Sequence, residues 1–185
     1  MQASRLLLFA SNLLRHFMVA ISSLRLPMPR ISALLHTHND ARRLGRALQS
    51  LRPCDEVLVI DDCSDDDTVK IARENGATLK TAIPGVTSGV YAMDTSYEWV
   101  LCIRPNESLS DDLEAALFEW KDREPDECAL CYKVPIREED GGSWQERPPE
   151  IRLLNRQRIN WIEELPGNQI CDLTLSGHLL CFREP

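Results

Sequence analysis

Five aspartates occupy seven positions, Asp61, Asp62, Asp65, Asp66 and Asp67, directly after the apolar run at residues 57–60. Carboxylates this close repel one another, so the cluster needs a metal, a hydrogen-bonding ligand or plain solvent. A carboxylate leaving a strand is well suited to accept a charge-assisted hydrogen bond. Part of the cluster has a simpler use. Ser64 or Asp65 can serve as the N-cap of a following helix, and acids beside a helix start oppose its dipole favourably. Asp61, the first residue out of the apolar run, is the one that reads as functional.

Two further polar stretches share this pattern. "HTHND" (36–40) follows the apolar "ISALL", and "RPNES" (104–108) follows "WVLCI". The elements between them must bring these stretches together. Leu44, Leu48 and Leu51 recur at helical spacing with arginines between them, which predicts an amphipathic helix. Pro53 ends it. "EVLVI" is continuously apolar, the mark of a strand covered on both faces. A second helix is predicted over residues 69–75 with Gly76 past its C-terminus, then strands at "ATLKTA" and "WVLCI". Strand and helix alternate in this way in parallel α/β sheets. In such sheets ligands bind at the carboxyl ends of the strands, where all three polar stretches fall.

A further helix is expected from Ser110, with Asp111 and Asp112 in its first turn and Leu113, Ala116, Leu117 and Trp120 as its buried stripe. Beyond Pro125 come strand-like runs "CALCYKVPI" and "PEIRLLN", joined by the polar "REEDGGSWQERP". The last runs are "INWIEEL" and "LTLSGHLLCF". They read as an added layer of the same domain.

The 185 residues suffice for one domain with a real core, and a soluble globular chain is the default. The charge is uneven. No acid precedes Asp40, whereas Arg5, Arg15, Arg25 and Arg30 all lie there, so the remainder is more acidic than the overall −8. That balance argues against nucleic acid as a partner. Seven cysteines without a framework suggest reduced thiols in a cytoplasm-like compartment. Cys128 and Cys131 form a CxxC, but no second pair follows at zinc-finger spacing.

Residues 1–30 form an N-terminal extension ahead of a domain at 31–185. The extension is interrupted by Asn12, Arg15 and His16 and falls short of a membrane span. It reads either as a targeting or membrane-surface segment or as the product of a start codon upstream of a true start at Met28. The first reading implies peripheral membrane association. A chain beginning at Met28 is expected to fold.

The order of these pieces resembles the family 2 glycosyltransferases, particularly bacterial enzymes of the lipopolysaccharide-core type. "HTHND" is similar to the family's Thr-x-Asn-Glu, with Thr37, Asn39 and Asp40. "IDDCSDDDT" is similar to Val-Asp-Ser-Gly-Ser-Thr-Asp-Gly-Thr, at Asp61, Ser64, Asp66 and Thr68. "WVLCIRPNESLS", "PEIRLLN" and "NWIEELP" resemble later motifs. The resemblance implies a nucleotide-diphospho-sugar transferase fold, Rossmann-like, with a mostly parallel sheet flanked by helices. It also implies inverting transfer from a nucleotide sugar to a glycan or lipid-linked acceptor, in the cytoplasm at the inner face of the membrane. Thr37, His38 and Asn39 would line the base pocket, and Asp61 would accept a hydrogen bond from uracil or a comparable base.

The departures are as informative. Where the family places Asp-x-Asp to hold a divalent ion, this chain has Arg104-Pro105-Asn106, followed by Glu107. Hard cations want several anionic oxygens, so neither Mg²⁺ nor Mn²⁺ is expected there and no cofactor is implied. Ser88 and Gly89 stand where relatives usually carry a basic residue and Asn, and Glu163-Glu164 where they carry His-Glu. In an active transferase Arg104 would contact the diphosphate directly, and Glu163 or Glu164 would deprotonate the acceptor hydroxyl. The alternative is a catalytically degenerate homologue that binds a nucleotide or a protein. A generic nucleotide-binding domain is disfavoured, because no glycine-rich phosphate loop follows any strand.

Overall fold

The computed structural model describes residues 28–123, 128–167 and 169–183. Among these, one eight-stranded sheet runs in the order β3-β2-β1-β4-β7-β6-β8-β5. The first half is built as its sequence pattern predicts. β1 (Ile31–Thr37), α1 (Ala41–Gln49), β2 (Glu56–Asp61), α2 (Thr68–Glu74), β3 (Thr78–Thr81) and β4 (Trp99–Cys102) alternate, with a short helix α3 (Ser88–Tyr91) before β4. β1 pairs in parallel with both β2 and β4, and β2 with β3.

The second half departs from a mostly parallel sheet. β7 (Ser143–Asn155) runs antiparallel to β4 and β6 (Cys131–Asp140), and β8 (Leu179–Cys181) antiparallel to β5 (Glu107–Leu109). The sheet is therefore mixed. The polar stretch expected to connect two strands is itself the outer half of a long hairpin, turning at Gly141 and Gly142, both at positive φ. A Gly-Gly pair suits such a turn. "INWIEEL" forms no strand, because Ile159 and Trp161 point into the core from irregular backbone.

Two cores cover the two faces of the sheet. One holds Leu35, Leu44, Val59, Leu101, Leu113 and Leu117, under α1, α2 and the helix α4 (Asp111–Asp122). The other holds Leu34, Ile60, Tyr91, Cys102, Ile159 and Trp161, under α3 and residues 159–165. α4 starts as expected, with the Ser110 hydroxyl accepting from the Leu113 N–H at 3.3 Å. Its buried face includes Glu114 rather than Ala116, because the Arg52 guanidinium meets that carboxylate at 2.7 Å. Gly177 is needed where the chain crosses this helix start. Its φ is +85° and a Cβ there would lie 2.2 Å from the Leu113 nitrogen.

Residues 1–27 of the expected extension lie outside the described residues. Arg30 does not stand apart from the domain. Its guanidinium lies 5.0 Å over the Tyr97 ring and donates to the Tyr97 hydroxyl at 2.8 Å. Among the described residues no helix is long and apolar enough to cross a membrane.

Candidate functional site

The loops leaving β1 and β2 are tied into one unit. The parallel register sets Thr37 beside Asp61, and the Asp62 N–H adds a rung by donating to the Thr37 carbonyl at 2.9 Å. Asn39 (φ 54°) and Cys63 (φ 53°) then turn the two loops toward each other through left-handed backbone, which Asn tolerates better than most residues. The Asn39 N–H donates to Ser64 Oγ and the Asp65 N–H donates to Asn39 Oδ1, both at 2.9 Å. The Asp40 N–H donates to Thr68 Oγ1 at 2.8 Å and the Ala41 N–H to Asp66 Oδ2 at 3.1 Å.

Two acids of the cluster, Asp61 and Asp66, serve backbone N–H groups, as does Asp40 from the facing loop, while Asp62, Asp65 and Asp67 are exposed. Asp66 Oδ1 accepts from the Thr68 N–H at 2.9 Å, and Asp40 Oδ2 accepts from the Thr37 hydroxyl and the His38 N–H, each at 3.0 Å. Asp61 Oδ2 accepts from the Ser64 N–H at 3.1 Å. Hydrogen bonds from Thr68 hold the Asp66 carboxyl below the usual carboxylate range. The helix cap therefore differs from expectation. Asp67 occupies the N-cap position, and Asp66 bonds Thr68, while Ser64 and Asp65 are drawn away to Asn39.

One atom of this network is left over. Asp61 is 8% exposed, and its Oδ1 is buried without a hydrogen-bond partner. A buried acceptor left unmade costs about 1–3 kcal/mol, and more when charged. An incoming N–H donor would remove that cost. Beside it, the exposed His38 donates through Nδ1 to the Asp62 carbonyl at 2.5 Å, and Nε2 faces Asn39 Nδ2 at 3.3 Å. The Asp62 carbonyl, with Asp62, Asp65 and Asp40 nearby, raises the His38 pKa.

Thr37, His38, Asn39 and Asp61 thus come together. The Thr37 hydroxyl and both ends of the Asn39 amide are engaged by the loops themselves. His38 is exposed, and Asp61 keeps one buried oxygen without a partner.

The exit of β4 is built differently. Glu107 is 1% exposed and Arg152, from β7, is 0% exposed; they form a two-pronged pair at 2.8 and 2.7 Å. Burial is the largest single influence on Arg152 and opposes its charge, but the attraction and hydrogen bond of Glu107 together with Glu150 leave its pKa raised. Arg152 also reaches Glu150 at 2.9 Å. The Arg104 N–H donates to Glu107 Oε2 at 2.8 Å. Asn106 donates its amide to the Phe182 carbonyl at 3.2 Å. Glu107 is therefore held on both oxygens by the Arg152 guanidinium, with Arg104 Nη1 3.9 Å from Oε1, while Asn106 commits its NH2 group to Phe182.

Neither "RPNES" nor "PEIRLLN" by itself reveals this pairing. An arginine inside an otherwise apolar strand was the available signal, since a buried arginine demands a carboxylate.

Residues 159–165 close the site from the other face. They come close enough to α3 that a Cβ on Gly89 would lie 2.4 Å from the Trp161 carbonyl oxygen. The Gly89 N–H donates to the Glu163 carbonyl at 3.1 Å. Glu163 and Glu164 are exposed, and Glu164 Oε1 lies 3.5 Å from Arg104 Nε. Glu163 makes only a local contact, accepting from the Ile162 N–H at 3.4 Å. Beneath Arg104 and Glu164 lies a cavity of about 10 Å³ lined also by His36, Cys102 and Leu165. His36 Nε2 is buried there without a partner.

The CxxC pair is separated by burial. Cys131 is buried, its pKa pushed up to about 12 by desolvation, while Cys128 is exposed. Among the described residues no group of three His, Cys, Asp or Glu side chains is placed to hold a metal.

No family model matches the chain. It is 38% identical over 91 residues to an uncharacterized glycosyltransferase of Rickettsia felis, covering 47% of this chain and 32% of that protein. An uncharacterized glycosyltransferase of Rickettsia bellii is 37% identical over 111 residues, covering 58% and 38%. The chain thus spans about a third of the length of the curated relatives it matches. Among solved structures, a mycobacterial protein shares the fold with a TM-score of 0.50 and 16% identity, over 70% of this chain and 54% of that one. Glucosyl-3-phosphoglycerate synthase from Mycobacterium tuberculosis, solved with Mn²⁺, uridine diphosphate and phosphoglyceric acid, has a TM-score of 0.49 and 17% identity, over 70% and 56%.

Proposed function

We propose that this chain binds a nucleotide-sugar donor at the exits of β1 and β2 and transfers the sugar to a glycan or lipid-linked acceptor. The observation that carries this reading is Asp61 Oδ1, a buried carboxylate oxygen without a hydrogen-bond partner at the exit of β2. The curated relatives named as glycosyltransferases support it. The lipopolysaccharide-core type, inverting chemistry and work at the inner face of the membrane rest on the motif resemblance. The acid-free N-terminal segment also fits attachment to a membrane surface.

In this reading Asp61 accepts from the N–H edge of the base and His38 covers its exposed side. Thr37 and Asn39 hold the loop in shape. Arg104, 40% exposed in its side chain, meets the diphosphate, supplying without a metal the positive charge that the leaving group needs. Glu164 or Glu163 takes the proton of the acceptor hydroxyl as the sugar–oxygen bond forms.

The engagement of Glu107 by Arg152 also fits a second reading, in which the cleft binds a nucleotide or a protein but no longer transfers. Calorimetric titration with a panel of nucleoside diphosphates and their sugars, with Mn²⁺ and with chelator, tests both. Binding in chelator followed by sugar transfer supports the first. Binding without transfer supports the second. No binding under either condition removes the donor site.

A further inference from the structure

We propose that the Arg104–Glu164 ion pair is a latch that the donor diphosphate opens, so that donor binding sets the proton acceptor free. The inference rests on the donor reading given above. Arg104 has two carboxylates within reach, and they are not equivalent. Glu107 is buried and already held on both oxygens by Arg152, so its 3.9 Å approach to Arg104 Nη1 adds little. Glu164 is the exchangeable partner. Its side chain is 60% exposed, it meets Arg104 Nε at 3.5 Å, and it rides on backbone without helix or strand.

Directly below the pair, the small cavity leaves His36 Nε2 buried and unpartnered. In the proposed exchange an anionic oxygen replaces the Glu164 carboxylate on Arg104, at the rim of this cavity. A diphosphate offers at least two charges and several phosphoryl oxygens, two of which the planar guanidinium fork can engage at once, a better partner than one exposed carboxylate. Once displaced, Glu164 loses its counter-charge and is left at the cleft as a free carboxylate base. The consequence is order: donor first, acceptor second.

The test uses the full chain and two probes, inorganic pyrophosphate and uridine diphosphate, titrated calorimetrically in chelator. Glu164→Gln removes the competing charge and is expected to tighten both probes by about two- to fivefold, the size of an exposed ion pair. Glu163→Gln removes the same charge one residue away and is expected to shift affinity by a smaller factor. In an Arg104→Gln background, which binds both probes more weakly, Glu164→Gln is expected to have no further effect. Unchanged or weaker binding by Glu164→Gln overturns the latch, as does an equal gain from Glu163→Gln or a gain that survives without Arg104. If pyrophosphate shows the full pattern and no nucleotide binds, the latch stands as an anion site and the donor reading falls. If nucleotides bind without the pattern, the donor reading stands and the latch falls.

Discussion

The exit of β2 and the exit of β4 begin alike, as polar residues following a buried strand, and end in opposite electrostatics. At β2, Asp61 and Asp66 are held by backbone N–H groups, no ion pair engages the aspartates among the described residues, and one oxygen of Asp61 is buried without a partner. At β4 the single carboxylate, Glu107, is closed by Arg152 on both oxygens, and Arg104 faces outward over it. The first exit accepts hydrogen bonds and the second offers positive charge. They leave the same edge of the sheet on either side of β1, and the proposed donor would have to span both, its base at the first and its anionic group at the second. The difference also shows that counting acids at a strand exit says little until their partners are known.

The largest expected effect breaks the second region. Arg152→Met leaves Glu107 buried and unpaired, and chemical denaturation should show a loss of about 3–5 kcal/mol. Glu107→Leu combined with Arg152→Met should recover most of it, since an apolar pair of similar volume tolerates the site. If Arg152→Met alone is neutral, the pair does not hold this exit. In the first region, Asp61→Asn keeps a carbonyl oxygen for the Ser64 N–H but loses the charge. Nucleotide affinity should fall by about tenfold or more, the worth of a hydrogen bond to a charged group, with little change in melting temperature.

A smaller contrast concerns metal. Any transfer should persist in chelator, because the β4 exit presents guanidinium groups where a cation would bind. Dependence on Mn²⁺ would show that acids elsewhere, such as those at 61–67, recruit it.

The smallest effect is in pH. The His38 pKa is raised in the fold, so its contribution is complete below the unfolded value of about 6.5 and is lost as pH rises through the higher folded value. Asp66 is lowered, so its contribution is complete above about 3.9 and is lost as pH falls through the lower folded value. The loop clamp should therefore be tightest between about pH 4 and 6.5. Nuclear magnetic resonance titration should find the His38 imidazole above, and the Asp66 carboxyl below, its ordinary range.

These contrasts also mark how far the sequence could be read. The alternation from Ile31 to Trp120 was legible because continuous apolar runs and leucines at helical spacing are local signals. The α/β class, the strand exits and the meeting of residues 37–39 with Asp61 followed from it. The hairpin from Cys131 to Asn155 was not legible, because its outer half is exposed and polar on both faces, leaving only Gly141-Gly142 as a turn signal. "INWIEEL" carries no local signal for its structure, because Ile159 and Trp161 pack from irregular chain. The fate of Glu107 was invisible for another reason. Its partner lies 45 residues away on a strand whose pairing is set by the whole sheet.

The central claim is that the open Asp61 oxygen is the recognition point for a nucleotide base. The most direct measurement is the calorimetric affinity of the full chain and of Asp61→Asn for uridine diphosphate, guanosine diphosphate and pyrophosphate, all in chelator. At least one nucleoside diphosphate should bind the unaltered chain and lose about tenfold or more with Asp61→Asn, while pyrophosphate, which has no base, should bind both proteins equally. Equal nucleotide binding by Asp61→Asn, or no nucleotide binding by the unaltered chain, would contradict it.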